Sequence, residues 1–358
     1  MTYLNTKIIG TGSYIPDNKI ENSDYFTKTF FEKDQSLIKG SGEEIVAKFR
    51  DITGIKERRW VKSNQTASEI ATKAAEQAIA SAEIDRETID HIIVATNFGD
   101  VIEGTIQTDL LPSLAARVKH NLGIANPSCV AYDLIFGCPG WVQGVIQADS
   151  FIKTGLAKRV LVIGAETLSR VVDIYDRDTM IFSDGAGAAI VEGTTSSKKT
   201  GVLSSATVTH TKDEAFYLYL GQSNKPESDP NVRYIKMHGR KIYEYSLSNV
   251  PKAIKAAMDK SGIPIEEVKK IIIHQANEKM DEAIVMRFFR QYGIQIDIDD
   301  VMPMNIQELG NSSVATVPTL YDMILNDQIK NHHINKGDII IFASVGAGMS
   351  INAIVYKQ

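Results

Sequence analysis

Cys138 has the sequence setting of a nucleophile. It follows the apolar run 130–136, which predicts a buried strand, and Gly137 permits a sharp turn before it. Pro139 suits the first position of a helix, which 141–155 continues. We therefore expect Cys138 at a helix N-terminus, where the helix dipole lowers the pKa of a thiol and favours nucleophilic attack. The alternative is a buried structural cysteine.

His274 and Asn311 are the other two candidates. His274 closes the apolar strand 270–273 and opens the stretch 274–289, which predicts a helix. Ligands bind at such strand ends in open α/β sheets, although a structural histidine fits this setting equally well. Asn311 precedes a helical pattern, which is also typical of a helix N-cap.

Two glycine-rich stretches, 183–191 and 344–355, each join apolar strands. Neither has the glycine spacing of a phosphate-binding loop followed by a helix. We interpret both as tight hairpins whose backbone N–H groups can support an oxyanion.

Helix and strand patterns alternate along the chain, which indicates an α/β fold. The stretch 67–82 predicts an amphipathic helix and 91–95 a buried strand, and 250–260 and 270–273 predict the same pair again. The polar stretch 221–233 predicts a surface loop between the two copies.

An internal duplication organises these elements. Residues 84–96 align with 263–275, and 160–165 align with 339–344 at the same offset, which is half the chain length. We therefore expect two fused copies of one βα module, 1–193 and 194–358, packed with pseudo-symmetry. In this arrangement Asn311 is the counterpart of Cys138, which strengthens its candidacy.

The composition excludes several classes of protein. Apolar residues make up 43 % and charged residues 23 %, as in soluble globular proteins, and the net charge of −5 argues against a general nucleic-acid-binding surface. There is no apolar run of membrane-spanning length and no signal peptide, so we expect a cytoplasmic protein with no membrane contact. Cys129 and Cys138 do not have metal-ligand spacing, and we interpret Cys129 as structural.

A set of motifs along nearly the whole chain resembles one enzyme family. They are TKIIGTGSYIP (6–16), TGIKER (53–58), the Cys138 turn, DRDTMIFSDGAGAA (176–189), HQAN (274–277), GNSSVATVP (310–318) and VGAGMSINA (345–353). Together they resemble the thiolase superfamily, and most closely β-ketoacyl-ACP synthase III. The resemblance implies two duplicated halves in a five-layered αβαβα fold. It also implies a homodimer that uses acyl-CoA or acyl carrier protein (ACP) thioesters, without a permanently bound cofactor or metal.

The resemblance also implies roles for the site residues. Cys138 would carry the acyl group, and His274 and Asn311 would hydrogen-bond the extender thioester and stabilise its enolate. The backbone N–H groups of Cys138 and Ala347 would hold the oxyanion of acyl transfer. Ala347, between Gly346 and Gly348, stands where the family usually has glycine, which a backbone donor tolerates if φ is not strongly positive.

Donor binding departs from the family pattern. Leu111 falls where the family places a residue of the acyl pocket near the dimer partner, and a longer loop brings Glu103 and Asp109 near that pocket. Arg177 matches one side of the family's clamp on the CoA adenine, but Lys48 replaces the aromatic and Ile52 replaces a second arginine. A carrier-protein contact is kept as Lys279, another falls on Glu244, and Arg240 and Lys241 lie nearby.

These departures favour ACP over CoA as the donor. They also favour a divergent member of the family from specialised lipid or polyketide metabolism, such as a dialkylresorcinol-type ketosynthase.

Three alternatives remain open at this point. The same fold could support non-decarboxylative condensation or acyl transfer to an alcohol or amine, with Glu103 as a base. A papain-type Cys-His-Asn hydrolase would use water as the acceptor, although the duplication argues against it. A non-catalytic ketosynthase-like subunit commonly lacks the cysteine that this chain has.

Overall fold

The structure is a computed structural model that describes residues 2–358. The α-helices are α1 (Gly42–Thr53), α2 (Ala67–Ser81), α3 (Leu114–Asn121), α4 (Gly140–Lys153), α5 (Gly239–Ser261), α6 (Glu278–Arg290), α7 (Ile298–Val301), α8 (Ile306–Leu309) and α9 (Thr316–Leu325). The strands are β1 (Tyr3–Tyr14), β2 (Asn18–Glu21), β3 (Glu57–Trp60), β4 (His91–Ala95), β5 (Val130–Leu134), β6 (Arg159–Thr167), β7 (Asp184–Ser196), β8 (Gly201–Thr209), β9 (Leu218–Gly221), β10 (Tyr234–Met237), β11 (Val268–Ile273), β12 (Ile339–Gly346) and β13 (Ser350–Lys357).

Two large mixed sheets contain the duplicated elements. The first has the order β1-β7-β6-β4-β5 and the second the order β11-β12-β13-β8. In each, one predicted pair of strands runs parallel, β4 with β6 and β11 with β12, and the next strand of the chain, β7 or β13, pairs antiparallel with the second of them. The first sheet uses residues 3–196 and the second 201–357. The two sheets therefore use successive parts of the chain, and β7 runs three residues past 193; residue 1 lies outside the described residues.

The two sheets and the helices form five layers. Side chains alternate along each inner strand, as the pleat requires. On β6, Leu161 and Ile163 pack with α2 on the outer face, whereas Val160 and Val162 face α4 on the inner face. The second sheet packs α5 and α6 on its outer face and α9 on its inner face. The expected αβαβα fold is therefore confirmed.

Aromatic side chains fill the central layer between the sheets. Trp141 on α4 and Tyr321 on α9 both contact Phe342 of β12 edge-to-face, with ring centroids 5.7 and 5.0 Å apart. The Trp141 indole N–H donates to the Val162 carbonyl at 3.2 Å, so burial leaves this polar group satisfied. This packing fixes α4 and α9, whose N-termini adjoin the candidate site.

Two glycines allow the turn before α9 to lie directly on the first half. A Cβ on Gly164 of β6 would stand 2.3 Å from the Val314 carbonyl oxygen, and one on Gly140 would stand 2.9 Å from Ala95 Cβ and 3.3 Å from Val314 Cγ1. Real Cβ atoms do not approach other atoms so closely, so only glycine fits at these points. The close approach brings residues 313–315 against β6 and α4.

The predicted helix 250–260 is wrong at its N-terminus, because α5 begins at Gly239. The sequence indicated a late start because Pro251 normally belongs in the first turn of a helix. Inside α5, Pro251 cannot bond the carbonyl of Leu247 four residues earlier. Arg287 of α6 donates to that carbonyl at 3.1 Å, which compensates the lost backbone bond.

Two further expectations about local structure are wrong, and a third is confirmed. Residues 221–233 connect β9 to β10 inside the second half, whereas the halves join between Ser196 and Gly201. The stretch 183–191 is no hairpin but lies mostly in β7, where extended glycines permit close packing of α9. The stretch 344–355 does turn, at Ala347–Met349 between β12 and β13.

Candidate active site

Cys138 lies in the short connection between β5 and α4. The strand before it is not buried as expected: β5 is the edge strand of the first sheet, and Val130 and Ile135 are 50 % and 55 % exposed. Pro139 is the N-cap and α4 begins at Gly140, so Cys138 lies just before the helix rather than in its first turn. Gly137 has φ 72°, which makes the sharp turn that the sequence predicted.

The protonation of Cys138 differs from the expectation. Cys138 is partly buried, and loss of hydration raises the pKa of its thiol to about 11, since the charged form is disfavoured there. A hydrogen bond from Ser313 lowers this pKa, and the nearby Glu166 carboxyl raises it when that carboxyl is ionised. The expected low pKa of Cys138 is therefore wrong, because burial dominates, and other groups must stabilise the thiolate. Cys129 is buried in the first-sheet core, and burial also raises the pKa of its thiol.

One turn, residues 311–316, contacts the other candidate side chains. The Ser313 hydroxyl donates to Cys138 Sγ at 3.3 Å. The backbone N–H of Ser313 donates to Asn311 Oδ1 at 2.8 Å, which leaves the Asn311 amide nitrogen to donate elsewhere. Asn311 is also tied to the end of the first half, because its N–H donates to Ile181 and its carbonyl accepts from Ser183. It does not cap a helix.

His274 follows β11, as predicted, but the helix after it begins later than expected, at Glu278 with Asn277 as its N-cap. The backbone N–H of His274 donates to the Ala343 carbonyl at 2.8 Å, and the ring Nδ1 of His274 lies 2.7 Å from Thr316 Oγ1. Nε2 is therefore the ring nitrogen available to a substrate. Asp281, fully buried, accepts from the N–H of Asn277 at 3.3 Å and holds this connection in place.

Burial keeps the His274 ring neutral. It lowers the pKa of His274 to about 4, because the imidazolium loses hydration inside the protein. The Thr316 hydroxyl has two acceptors within reach, His274 Nδ1 and the Ser313 carbonyl at 3.0 Å. When it donates to Nδ1, Nε2 carries the proton and can donate to a carbonyl oxygen.

The glycine-rich turn after β12 lies against the Cys138 turn. A Cβ on Gly346 would stand 2.5 Å from the Cys138 backbone nitrogen, and one on Gly137 would stand 2.8 Å from the Ala347 nitrogen. Ala347 is not among the residues with positive φ, whereas Gly348 has φ 72°. Alanine is therefore compatible with this turn, and two backbone N–H groups lie on adjacent turns beside the sulfur.

These groups can support acyl transfer. A cysteine lies beside backbone donors suited to an oxyanion, and a neutral histidine and an asparagine amide are held by the same turn. Within residues 2–358 there is no group of three or more His, Cys, Asp or Glu side chains that could hold a metal ion.

The structure places Glu103 away from Cys138. Glu103 lies on the rim of a separate cavity of about 650 Å³, where it pairs with Arg170 at 3.6 Å, and Cys138 is not among the lining residues. Asp109 pairs with Arg117 at 2.7 Å. Leu111 is 89 % exposed, so its own protomer leaves it uncovered.

The candidate donor-binding residues lie on the surface in four elements. Lys48 and Ile52 are exposed on α1, and Lys279 is exposed on α6, which packs against α1. Arg177 pairs at 3.2 Å with Glu32 of the longer segment before α1. Arg240 and Lys241 are exposed in the first turn of α5, where Arg240 pairs with Glu244.

Sequence reasoning missed four residues that hold the site, namely Asn97, Glu166, Ser313 and Thr316. Glu166 had a usable signal, because it is an acidic residue directly after the apolar run of β6. Ser313 and Thr316 belong to a motif that the sequence singled out, but only their contacts distinguish them from its other residues.

Comparison with known proteins agrees with this fold and site. The sequence profile of 3-oxoacyl-[acyl-carrier-protein] synthase III matches residues 132–211, and that of its C-terminal region matches 258–358. A β-ketoacyl-[acyl-carrier-protein] synthase III of Vibrio vulnificus is 33 % identical, covering 96 % of this chain and 97 % of the relative.

Two solved structures illustrate the structural match. The 3-oxoacyl-[acyl-carrier-protein] synthase III of Aquifex aeolicus is 31 % identical with a TM-score of 0.79, covering 99 % of this chain and 100 % of its own. A priming β-ketosynthase from the R1128 polyketide pathway, 23 % identical, has the same fold with a TM-score of 0.79, covering 99 % and 97 %.

The fold and the site define an acyltransferase of the thiolase type, which forms carbon–carbon bonds by Claisen condensation. The chain belongs to the β-ketoacyl-ACP synthase III family, as its motifs indicated.

The neutral His274 makes stability depend on pH. Its pKa is depressed in the folded state, so the unfolded chain binds the extra proton and stability is lost as pH falls from about 6.5 towards 4. Between pH 6.5 and 5 we expect a loss of about 2 kcal/mol that His274→Gln removes. Urea unfolding at both pH values measures it, with the exposed His120→Gln as control. An equal pH dependence in wild type and His274→Gln would contradict the burial argument.

Proposed function

We propose that Cys138, His274 and Asn311 carry out the two half-reactions of a ketosynthase III. Cys138 accepts an acyl group from a thioester, and the histidine and asparagine then activate a second thioester for condensation. The observation that carries this proposal is the turn 311–316, because Ser313 contacts Cys138, Ser313 N–H orients Asn311, and Thr316 contacts His274.

In the first half-reaction, the Cys138 thiolate attacks the carbonyl carbon of the acyl thioester. The backbone N–H groups of Cys138 and Ala347 stabilise the oxyanion of the tetrahedral intermediate. Its collapse breaks the carbon–sulfur bond of the donor, whose thiol leaves with the proton that Cys138 gave up. The acyl group remains on Cys138 as a thioester.

In the second half-reaction, a malonyl thioester binds with its carbonyl oxygen at His274 and Asn311. Loss of CO₂ leaves an enolate, whose negative oxygen the Nε2–H of His274 and the Asn311 amide stabilise. The enolate carbon attacks the acyl carbon on Cys138, and Cys138 regains a proton as the β-ketoacyl thioester leaves. Neutral donors suit this step, because they bind an enolate without being deprotonated.

We propose ACP as the preferred acyl donor and as the carrier of the extender. Lys279, Arg240 and Lys241 are exposed on adjacent helices, where they can contact the acidic surface of a carrier protein. The CoA clamp is incomplete, because Lys48 and Ile52 replace its partners and Glu32 already pairs with Arg177. A dialkylresorcinol-type role stays a prediction of the sequence.

Nothing in the geometry favours the alternative reactions. Glu103, the candidate base for acyl transfer to an alcohol or amine, lies in another cavity with Arg170. Release of CO₂ in step with product distinguishes decarboxylative condensation from the non-decarboxylative reaction.

In the described residues 2–358, no helix is long and apolar enough to cross a membrane.

We also propose that the chain forms a homodimer through the β5 edge. An edge strand with exposed apolar side chains favours pairing with another chain, and Leu111 is available to a partner's acyl pocket. We expect light scattering at micromolar concentration to give twice the chain mass of 39.5 kDa. Val130→Lys, which places a charge on the edge, should shift the protein towards the monomer, whereas a monomeric wild type would contradict the proposal.

Cys138 should be the only acylation site. Cys138→Ala should abolish the acyl mass adduct and turnover, whereas Cys129→Ala should retain both, because Cys129 is buried in the core away from the site. Intact-mass measurement with the same acyl groups on CoA and on ACP gives the adduct and the donor preference together. An adduct that persists in Cys138→Ala would refute the role of Cys138, and faster transfer from acetyl-CoA than from any acyl-ACP would refute the donor proposal.

His274 and Asn311 should matter more for condensation than for acylation. We expect His274→Ala and Asn311→Asp to slow malonyl decarboxylation by about 10²–10³, the usual effect of losing a preorganised donor, and to slow Cys138 acylation less. Release of ¹⁴CO₂ from labelled malonyl-ACP and the rate of the acyl adduct measure the two steps separately. Normal decarboxylation in both variants would show that other residues stabilise the enolate.

A further inference from the structure

Glu166 on β6 is a buried carboxyl group with an unusual set of partners. It has no exposed surface, and its Oε1 accepts hydrogen bonds from both the backbone and the side-chain N–H of Asn97. Its Oε2 has no hydrogen-bond partner among residues 2–358. A buried polar atom without a partner costs free energy, so a functional reason for Glu166 is worth seeking.

Asn97 and Ser313 link Glu166 to Cys138 through a chain of hydrogen bonds, and the direction of each bond follows from the one before it. Because Oε1 accepts, the Asn97 amide presents its nitrogen, and the same Nδ2 donates to Ser313 Oγ at 3.0 Å. A hydroxyl has a single proton. Since Ser313 Oγ accepts from Asn97, its proton is free for Cys138 Sγ, 3.3 Å away.

We propose that Glu166 and Asn97 are positioning residues that aim the Ser313 hydroxyl proton at Cys138 and so stabilise its thiolate. This inference rests on the proposed role of Cys138 as the nucleophile. A hydrogen bond to a charged acceptor is stronger than one to a neutral acceptor, so the hydroxyl favours the thiolate over the thiol. It thereby offsets part of the cost of charging the sulfur of the partly buried Cys138.

The chemistry of Glu166 fits this task. Burial raises its pKa to about 8, with a smaller contribution from Asp184, so at neutral pH it is mostly the neutral acid. In this neutral form Oε1 still accepts from Asn97. Glu166 thus orients the amide without placing a full negative charge near the thiolate, where it would oppose ionisation of Cys138.

The test measures alkylation of Cys138 by iodoacetamide at neutral pH in a Cys129→Ala background, followed by mass spectrometry. We expect Ser313→Ala and Asn97→Ala each to slow alkylation by about tenfold or more, the effect of losing a hydrogen bond to a charged group. The double variant Asn97→Ala/Ser313→Ala should be no slower than Ser313→Ala alone. Both changes interrupt the same relay, by which we mean the chain of hydrogen bonds from Glu166 through Asn97 and Ser313 to Cys138. Ser312→Ala, in the same turn, is the matched control and should react like the parent.

Glu166→Gln separates orientation from charge. A glutamine carbonyl at the same place can accept from Asn97, so we expect alkylation at the parental rate or faster, whereas Glu166→Leu should react as slowly as Ser313→Ala. If Glu166→Leu does not fold, the inference is tested by Glu166→Gln and by the double-mutant cycle, which compares Asn97→Ala and Ser313→Ala with the variant that carries both changes. Additive effects in that cycle, or slow alkylation in Glu166→Gln, would overturn the relay.

A second measurement keeps this inference distinct from the proposed function. Alkylation needs no acyl donor, so a protein that no thioester acylates would contradict the proposed function while the alkylation series still tests the relay. Conversely, if Glu166→Gln abolishes condensation with normal alkylation, Glu166 acts on the substrate and the positioning role is wrong.

Discussion

The site depends on the turn 311–316, which lies between the two halves of the molecule. Its backbone is tied to the first half by the bonds of Asn311 to Ile181 and Ser183. Its side chains reach Cys138 from the first half and His274 from the second. One short segment therefore contacts the reactive groups of both halves and sets their positions relative to each other.

Close backbone packing makes that position of the turn possible. The Val314 carbonyl oxygen lies 2.3 Å from where a Cβ on Gly164 would stand, and the Ala347 nitrogen lies 2.8 Å from where one on Gly137 would stand. Behind these contacts, Trp141, Tyr321 and Phe342 fill the central layer and hold α4 and α9. The rigid core thus positions groups that a loop alone would leave mobile.

Burial shapes the chemistry of the site more than the helix termini do. It raises the pKa of Cys138 to about 11 and lowers that of His274 to about 4, so both groups are uncharged before substrate binds. A site of neutral groups suits an enolate held by hydrogen-bond donors. It also raises the free energy of the Cys138 thiolate that acylation requires. We propose that the Ser313 hydroxyl stabilises this thiolate, and that Asn97 and Glu166 orient the hydroxyl proton towards Cys138.

The sequence by itself determined the duplicated α/β halves, the positions of β4, β6, β11 and β12, and the family, because these follow from local periodicity and contiguous motifs. It also indicated Cys138, His274 and Asn311 as candidates. Only the tertiary structure decided that β5 is an exposed edge, that Pro251 lies inside α5, and that Glu103 pairs with Arg170 in a cavity that Cys138 does not line. It also decided the protonation of Cys138. Each of these depends on what packs around a residue from distant parts of the chain, since desolvation and hydrogen-bond direction are set by neighbours in space.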